Sequence, residues 1–301
     1  MWDMQPPNGV FLVTKRYELA DCEIYLISEL CQVTGSFKFR AAWNVVNQVD
    51  APGFVAASSG NFGQALACAA KMINRKCTIV MPNTAARVKV EAVRSYGAIV
   101  DLVDVSIVSR EQRVLELSKS LPDYYVCSAY DNQYVISGNA SLGIELADSV
   151  PYIDAIIAPV GGGGLSSGII SGLRSKDVDI SVWGAEPSMA NDAARSLRNG
   201  ILISNDQEPD TLADGARTIS LGRLNFDILS SEMSGIIEVD ESLIPVAMKH
   251  LHQCALRVEP TGALSVAALF TDPKRFVGLK IGCVLSGGNV DDDLYSGLVG
   301  S

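Results

Sequence analysis

At 301 residues the chain has room for two modest domains or one large α/β unit, and 48% hydrophobic against 19% charged residues reads as a folded protein, not a disordered one. A formal net charge of -10 argues against non-specific nucleic-acid binding and against attraction to anionic membranes, so neither is expected as a partner. Charges or glycines interrupt every apolar run before it reaches membrane-spanning length.

In chain order, Met1-Trp2-Asp3-Met4-Gln5-Pro6-Pro7 lacks the basic start and apolar stretch of a signal peptide. Residues 10–13 and 24–27 read as short strands. A polar, glycine-bearing turn follows, Thr34-Gly35-Ser36-Phe37-Lys38-Phe39-Arg40, and then a helix over 41–49. Strands over 53–57, 77–81, 98–103 and 124–127 alternate with helices over 64–73, 85–96 and 109–120. A second series runs helix 141–147, strand 155–160, helix 165–174, strand 180–185 and helix 188–198. An irregular polar stretch, 199–214, comes next, then helices near 243–256 and 263–270 and a last strand at 281–285. Strands separated by helices of this length predict βαβ units and parallel sheets.

Four short stretches can carry chemistry. Lys38, followed by Phe39, Ala41, Ala42 and Trp43, is set for desolvation, which lowers an amine's pKa and suits it to hold an aldehyde as a Schiff base. Taken alone, such a tripeptide also reads as a surface lysine at a helix start. Gly161-Gly162-Gly163-Gly164 lies between a predicted strand and a predicted helix, a setting in which backbone N–H groups and the helix's positive end bind an anion. A nucleotide P-loop is excluded because GxxxxGK[ST] is missing. A dinucleotide fingerprint starts in two frames but meets Ser166 or Ser167 at its third glycine, and it leaves Lys38 and the remaining loops without roles. Ser58-Ser59-Gly60-Asn61-Phe62-Gly63 is a second strand-to-helix loop, suited to a carboxylate or simply to a serine N-cap. Ser286-Gly287-Gly288-Asn289 is a third polar turn after an apolar strand. Cys68, Cys77, Cys127 and Cys283 sit in apolar contexts without CxxC spacing and read as reduced core residues of a cytoplasmic protein. His250 and His252, two apart on a predicted helix, point to different faces and make no zinc pair.

The order SFKxR, SSGNxGQAL, VGGGGL, GAEP, ADG, EPTGA and LSGGN, spread over nearly the whole chain, resembles the fold-type II pyridoxal-phosphate enzymes of the tryptophan-synthase-β-like superfamily. Within that group the chain is most similar to serine racemase and the threonine/serine dehydratases. The resemblance implies a two-domain α/β fold, parallel sheets flanked by helices, with the active site in the interdomain cleft. Residues 50–131 would form the small domain, and 1–49 with 132–301 the large, cofactor-binding one. It implies pyridoxal 5'-phosphate as cofactor, a small amino acid as substrate, a cytoplasmic location and a homodimer.

Site roles follow from the same resemblance. Lys38 would form the Schiff base and move the α-proton on one face. Gly161, Gly162, Gly163, Gly164 and Leu165 would hold the cofactor phosphate, Asn61 the ring hydroxyl and Ser286 the ring nitrogen. Ser58, Ser59, Gly60, Asn61 and Phe62 would surround the substrate carboxylate, and Ser59 would be the acid/base on the opposite face. Glu186, the carbonyl of Ala190 and Asp192 resemble the family's divalent-metal loop and would take Mg²⁺ or Ca²⁺. Two departures stand out: Phe62 where the family usually has histidine, and Ala41 where it usually has glycine. The implied reaction is α,β-elimination from a small β-hydroxy L-amino acid to keto acid and ammonia, accompanied by racemisation. A β-replacement synthase making cysteine- or diaminopropionate-like products, and a cofactor-binding protein without turnover, stay open at this level.

Overall fold

The computed structural model describes residues 11–14, 22–85 and 87–300. Residues 1–7 and position 10 of the first predicted strand lie outside the described residues, as does Ala86 of the helix predicted at 85–96. The chain enters with β1 (Phe11–Thr14) antiparallel to β2 (Glu23–Ser28), followed by α1 (Lys38–Gln48). Then come β3 (Gly53–Ala57), α2 (Asn61–Met72), β4 (Lys76–Pro82), α3 (Arg87–Ser95), β5 (Ile99–Val103), α4 (Arg110–Ser120) and β6 (Tyr125–Val126). The next group is α5 (Gln133–Ser149), β7 (Ala155–Pro159), α6 (Gly164–Arg174), β8 (Ser181–Pro187), α7 (Asp192–Asn199), α8 (Arg223–Glu232) and β9 (Gly235–Val239). The chain closes with α9 (Leu243–Gln253), α10 (Pro260–Thr271), β10 (Lys280–Leu285) and α11 (Asp292–Val299).

These strands form two sheets, a six-stranded one in the order β1-β2-β10-β7-β8-β9 and a four-stranded one in the order β5-β4-β3-β6. All pairings apart from β1 with β2 are parallel. Burial explains the arrangement. In β2, Ile24 and Leu26 enter one apolar cluster while Tyr25 and Ile27 enter another, the period-two pattern of a strand covered on both faces. In β3, Phe54 and Ala56 face the cluster containing α1 and α2, and Val55 faces the cluster under α4. Neighbouring β7 and β10 therefore open their C-terminal loops, at 161 and 286, side by side.

Several elements differ from their sequence reading for physical reasons. Helix α1 starts at Lys38, not at 41, so the lysine sits in the first helical turn. Helix α5 starts at 133, not 141, because Asn132 caps it, its Oδ1 accepting from Tyr134 N at 2.8 Å and Val135 N at 3.4 Å. Gly138, which reads as a breaker, is there for close packing: a Cβ would lie 2.6 Å from the Arg40 carbonyl oxygen. The helix expected over 188–198 is divided into a 3₁₀ turn (Ser188–Ala190) and α7. Elements α8, β9 and α11 have no counterpart in the sequence reading. In β9, Ile237 and Val239 alternate into the core, but the run is only five residues long and opens on a glycine.

Candidate active site

A cavity of about 510 Å³ opens where the loops after β3, β7 and β10 meet the first turn of α1. Its volume lies in the range of small-molecule and cofactor sites. The structure brings Lys38, Ser58, Ser59, Gly60, Asn61, Phe62, Gly161, Gly162, Gly163, Gly164, Leu165 and Ser286 onto its wall.

Lys38 is half-buried, and its Nζ donates to the carbonyl of Ala129 at 3.0 Å. The rings of Phe37 and Phe62 lie 5.0 and 5.7 Å from that nitrogen. Burial is the largest influence and lowers the Lys38 pKa to about 8, with Glu259 and Cys127 pulling the other way. The amine is thus far easier to deprotonate than a solvated lysine. Phe62 itself is 2% exposed and packs in the core behind α2, so it presents little more than an edge to the cavity.

Asn61 opens α2 and is held at both ends of its amide. Its Nδ2 donates to the Glu259 carboxylate at 2.8 and 3.1 Å, and its Oδ1 accepts from Asn289 Nδ2 at 2.8 Å. Asn289 in turn donates to the Thr34 carbonyl at 2.7 Å, and Phe37 N donates to the Ser286 carbonyl at 3.0 Å. The lysine turn, the Asn61 loop and the Ser286 loop are therefore stitched into one wall. Glu259, 4% exposed and just ahead of α10, has its carboxyl pushed up to about 8 by burial and next by Asp214, against the Asn61 hydrogen bond.

The glycine loop leads into α6. Gly163 takes φ +90°, a left-handed conformation that favours glycine. A Cβ on Gly162 would sit 2.2 Å from the Tyr130 ring, so only glycine lets the backbone pass beneath that side chain. Asn225 Nδ2 donates to the Gly162 carbonyl at 2.7 Å and Asn139 Nδ2 to that of Gly164 at 3.0 Å, which turns the carbonyls away from the cavity. The N–H groups of the first turn of α6 have no intrahelical acceptors and suit a phosphate.

Ser58 and Ser59 divide their work. Ser58 Oγ accepts from Gly63 N at 2.9 Å and so holds the start of α2. Ser59 Oγ accepts from Arg110 Nη1 at 3.4 Å, and Arg110 Nη2 lies 3.5 Å from Glu208. Lys89 pairs with Asp214 across the same rim.

The loop after β8 carries a separate constellation. Glu186 and Asp192 are each 1% exposed. Glu186 Oε1 accepts from Ala194 N at 3.0 Å, Asp192 Oδ1 accepts from Asn205 Nδ2 at 2.8 Å, and Asp192 Oδ2 is buried without a hydrogen-bond partner. Burial pushes the Glu186 carboxyl well above its usual range and that of Asp192 up to about 7. Two desolvated carboxylates with an orphaned oxygen fit a hard cation. Among the described residues no trio of His, Cys, Asp or Glu side chains gathers as a metal cluster, so such a site needs a backbone carbonyl and waters to complete it.

Sequence reasoning missed Glu259, Asn289, Arg110 and Tyr130. Glu259 and Asn289 sit inside EPTGA and LSGGN, but nothing in those words shows that the two side chains meet Asn61. Arg110 and Tyr130 lie outside every quoted motif. His252 Nδ1 pairs with Tyr295 Oη at 3.0 Å, and His250 packs on Phe270, so the two rings have different neighbours.

Comparison with known proteins adds an independent line. Residues 12–287 match the model of the family "Pyridoxal-phosphate dependent enzyme". The chain is 39% identical over 287 residues to a serine racemase of Dictyostelium discoideum, covering 91% of this chain and 86% of that protein. It is 35% identical over 285 residues to an L-threo-3-hydroxyaspartate ammonia-lyase of a Pseudomonas species, covering 92% of this chain and 88% of the relative. The structure of maize serine racemase superposes with a TM-score of 0.89 at 33% identity, over 94% of this chain and 89% of that one. Among the described residues no helix is long and apolar enough to cross a membrane.

The environment of Lys38 has a direct readout. In the cofactor-free protein, acylation of Lys38 by an amine-reactive reagent, followed by peptide mass analysis, should show a midpoint near pH 8. A solvated lysine would titrate at about 10.4. A midpoint at the solvated value would show that the apolar surroundings do not act on the amine.

Proposed function

The chain belongs to the pyridoxal-phosphate dependent enzymes, and we propose that it is an ammonia-lyase of the serine-racemase type that eliminates the β-hydroxyl of a small L-amino acid and racemises the same substrate as a second outcome. The observation that carries this reading is one cavity lined by a lysine whose pKa burial lowers to about 8, a glycine loop at a helix N-terminus and a serine at the end of β10.

Bound pyridoxal phosphate supplies the aldehyde that takes up the substrate amine and the ring that withdraws electrons as the Cα proton leaves. The chain supplies the rest. The N–H groups from Gly161 to Leu165 hold the phosphate at the positive end of α6. Ser286 would place a neutral hydroxyl by the ring nitrogen, a setting that would not protonate it and would suit loss of a β-hydroxyl, and Asn61 would donate to the ring oxygen. Ser58 holds the start of α2, and the N–H groups around Ser59, Gly60, Asn61 and Phe62 receive the substrate carboxylate. Lys38 takes the Cα proton and returns it to the departing hydroxyl as water; hydrolysis of the released enamine consumes that water and gives keto acid and ammonia. Ser59, on the Arg110 side of the cavity, delivers a proton to the other face of Cα when racemisation occurs.

In this reading residues 50–131 form the smaller unit and 1–49 with 132–301 the larger one, with a homodimer in the cytoplasm as the working form. Glu186, the Ala190 carbonyl and Asp192 would hold Mg²⁺ or Ca²⁺, which would neutralise the two buried carboxylates and brace the loop between β8 and α7.

A second reading of the substrate rests on Arg110. It is a cation on the cavity wall beside Ser59, held by Glu208 at 3.5 Å, and it suits a substrate with a second carboxylate, such as a β-hydroxy diacid. One relative's name, L-threo-3-hydroxyaspartate ammonia-lyase, points to the same chemistry.

Proton NMR in D₂O, with L-serine, L-threonine and L-threo-3-hydroxyaspartate offered separately, should show keto acid from at least one, together with α-deuterated D-isomer. Lys38→Ala should lower both rates by at least ~100-fold, the scale of a lost general base. Ser59→Ala should lower racemisation on that scale and leave elimination within about threefold; equal losses would remove Ser59 from the second face. Arg110→Ala should cut kcat/KM for hydroxyaspartate by roughly 10- to 100-fold, the worth of a hydrogen bond to a charged group, and change that for serine far less. Equal effects on both substrates would overturn the diacid reading. Finally, Mg²⁺ or Ca²⁺ should raise the thermal midpoint of the cofactor-free protein. Asp192→Asn should abolish that response while leaving the metal-free midpoint unchanged or higher, because one buried carboxylate is gone. A full cation response in the variant would place the cation elsewhere.

A further inference from the structure

Asn61 stands 198 positions from Glu259 and 228 from Asn289, yet its amide is bonded to both. An amide group has an acceptor oxygen and two N–H donors, and its orientation is decided by its partners. Here both partners point the same way. In its ionised form Glu259 offers only carboxylate oxygens, which accept Nδ2–H at 2.8 and 3.1 Å. Asn289 offers an N–H, which Oδ1 accepts at 2.8 Å. Flipping the amide by half a turn would set oxygen against carboxylate and N–H against N–H. The only orientation without repulsion leaves one N–H of Asn61 uncommitted, on a residue that lines the cavity.

Both partners are themselves fixed. Glu259 N donates to the Gly287 carbonyl at 3.1 Å, and the carboxylate lies at the positive end of α10, which favours it there. A Cβ on Gly287 would fall 2.6 Å from Glu259 Oε1, so the Ser286 loop closes directly over the carboxylate. Asn289 is held by the Thr34 carbonyl. Neither partner can turn to follow a flipped amide without breaking a backbone contact.

We propose that Glu259 is a positioning residue that, with Asn289, fixes the amide of Asn61 so that its remaining N–H faces the cavity as a donor to the ring oxygen of bound pyridoxal phosphate. The assignment rests on the functional reading above. Glu259 acts through Asn61, so its removal loosens a donor and takes away no group that touches the reacting carbon. With Glu259 gone, Asn289 alone orients the amide, so the N–H that faces the cavity is held less firmly and its grip on an anionic ring oxygen weakens.

A double-mutant cycle on cofactor binding tests this. The dissociation constant of pyridoxal phosphate and the visible absorption band of the bound cofactor are measured for the native protein, Glu259→Ala, Glu259→Gln, Asn61→Ala and the Asn61→Ala/Glu259→Ala double variant. Circular dichroism and thermal melting of each cofactor-free protein check the fold. Glu259→Ala should weaken binding by roughly 10- to 100-fold and shift the band, whereas Glu259→Gln, which keeps an acceptor of the same reach and is the variant to use if the alanine form melts early, should recover most of both. In the Asn61→Ala background, Glu259→Ala should cost less than about twofold more, since residues that act as a unit are not additive. Effects that multiply in the double variant, or a Glu259→Ala protein with native affinity and band, would overturn the assignment while leaving the function intact. A native protein that binds the cofactor with no visible band would take down the functional reading, and this one with it.

Discussion

The structure depends first on Arg40, a residue 2% exposed whose guanidinium uses all of its donors. Nε and Nη2 bond Glu29 at 2.7 and 2.9 Å, Nη1 and Nη2 bond Glu145 at 2.7 Å each, and Nη1 also reaches Ser141 Oγ at 3.0 Å. Three elements meet at that one ion: the loop after β2, the first turn of α1 and the middle of α5. Bidentate pairs of this kind fix orientation as well as distance, and a buried charge tolerates no missing partner. Lys38 is two residues away on the same helical turn. Its place in the cavity is thus set by an ion network on the far side of α1, not by its own hydrogen bond to Ala129. Gly138 belongs to the same device, since α5 approaches the Arg40 backbone closely enough to exclude a side chain there.

Much of this was legible in the chain because the relevant chemistry is local. A strand that ends in small and polar residues and runs into a helix produces free N–H groups wherever it lies, so the loops at 58, 161 and 286 can be found without knowing their neighbours. Alternation of strands and helices fixes parallel sheets, and two such sheets are present. Lys38 reads as desolvated by the residues after it, Phe39, Ala41, Ala42 and Trp43, whereas the rings beside its nitrogen are those of Phe37, its neighbour before, and Phe62. The elements that escaped, α8, β9 and α11, are short and only partly covered, and their helical or extended state is decided by what they pack against. The beginning of α5 escaped because glycine and asparagine at 138 and 139 look like a loop. In the structure one gives close approach to α1 and the other bonds the Gly164 carbonyl.

What the sequence does not display is the pairing of side chains across the cavity. Glu259, Asn289 and Asn61 come from three distant segments, and no spacing rule joins them. The same holds for the rim, where Lys89 and Arg110 from the segment that carries the four-stranded sheet meet Asp214 and Glu208 from the long irregular stretch after α7. That stretch reads as weakly structured because its polar residues have no periodic pattern. Their order comes from partners elsewhere: Leu212 N donates to Glu241, Gly215 N to Thr261 Oγ1, and Asn205 Nδ2 to Asp192. Irregular chain of this kind is pinned by hydrogen bonds at scattered points, which is why it can contribute both to the cavity wall and to the carboxylate pair beyond it.

Phe62 joins these strands of the argument. Where the resemblance leads one to expect an imidazole, a benzyl ring fills the first turn of α2, almost wholly buried and 5.7 Å from the Lys38 nitrogen. An imidazole there would carry two polar ring nitrogens. The phenyl ring offers neither, and its π-face compensates a desolvated ammonium only weakly. Lys38 is left with one carbonyl and the field of Glu259 to support its charge, and burial lowers its pKa to about 8. Reactivity at this lysine is then a property of the packing beneath α2 as much as of the residues that face the substrate. Asn61, the next residue back, carries the hydrogen bonds to Glu259. One apolar side chain in the core thus adjoins both the Lys38 amine and, through the chain, Asn61.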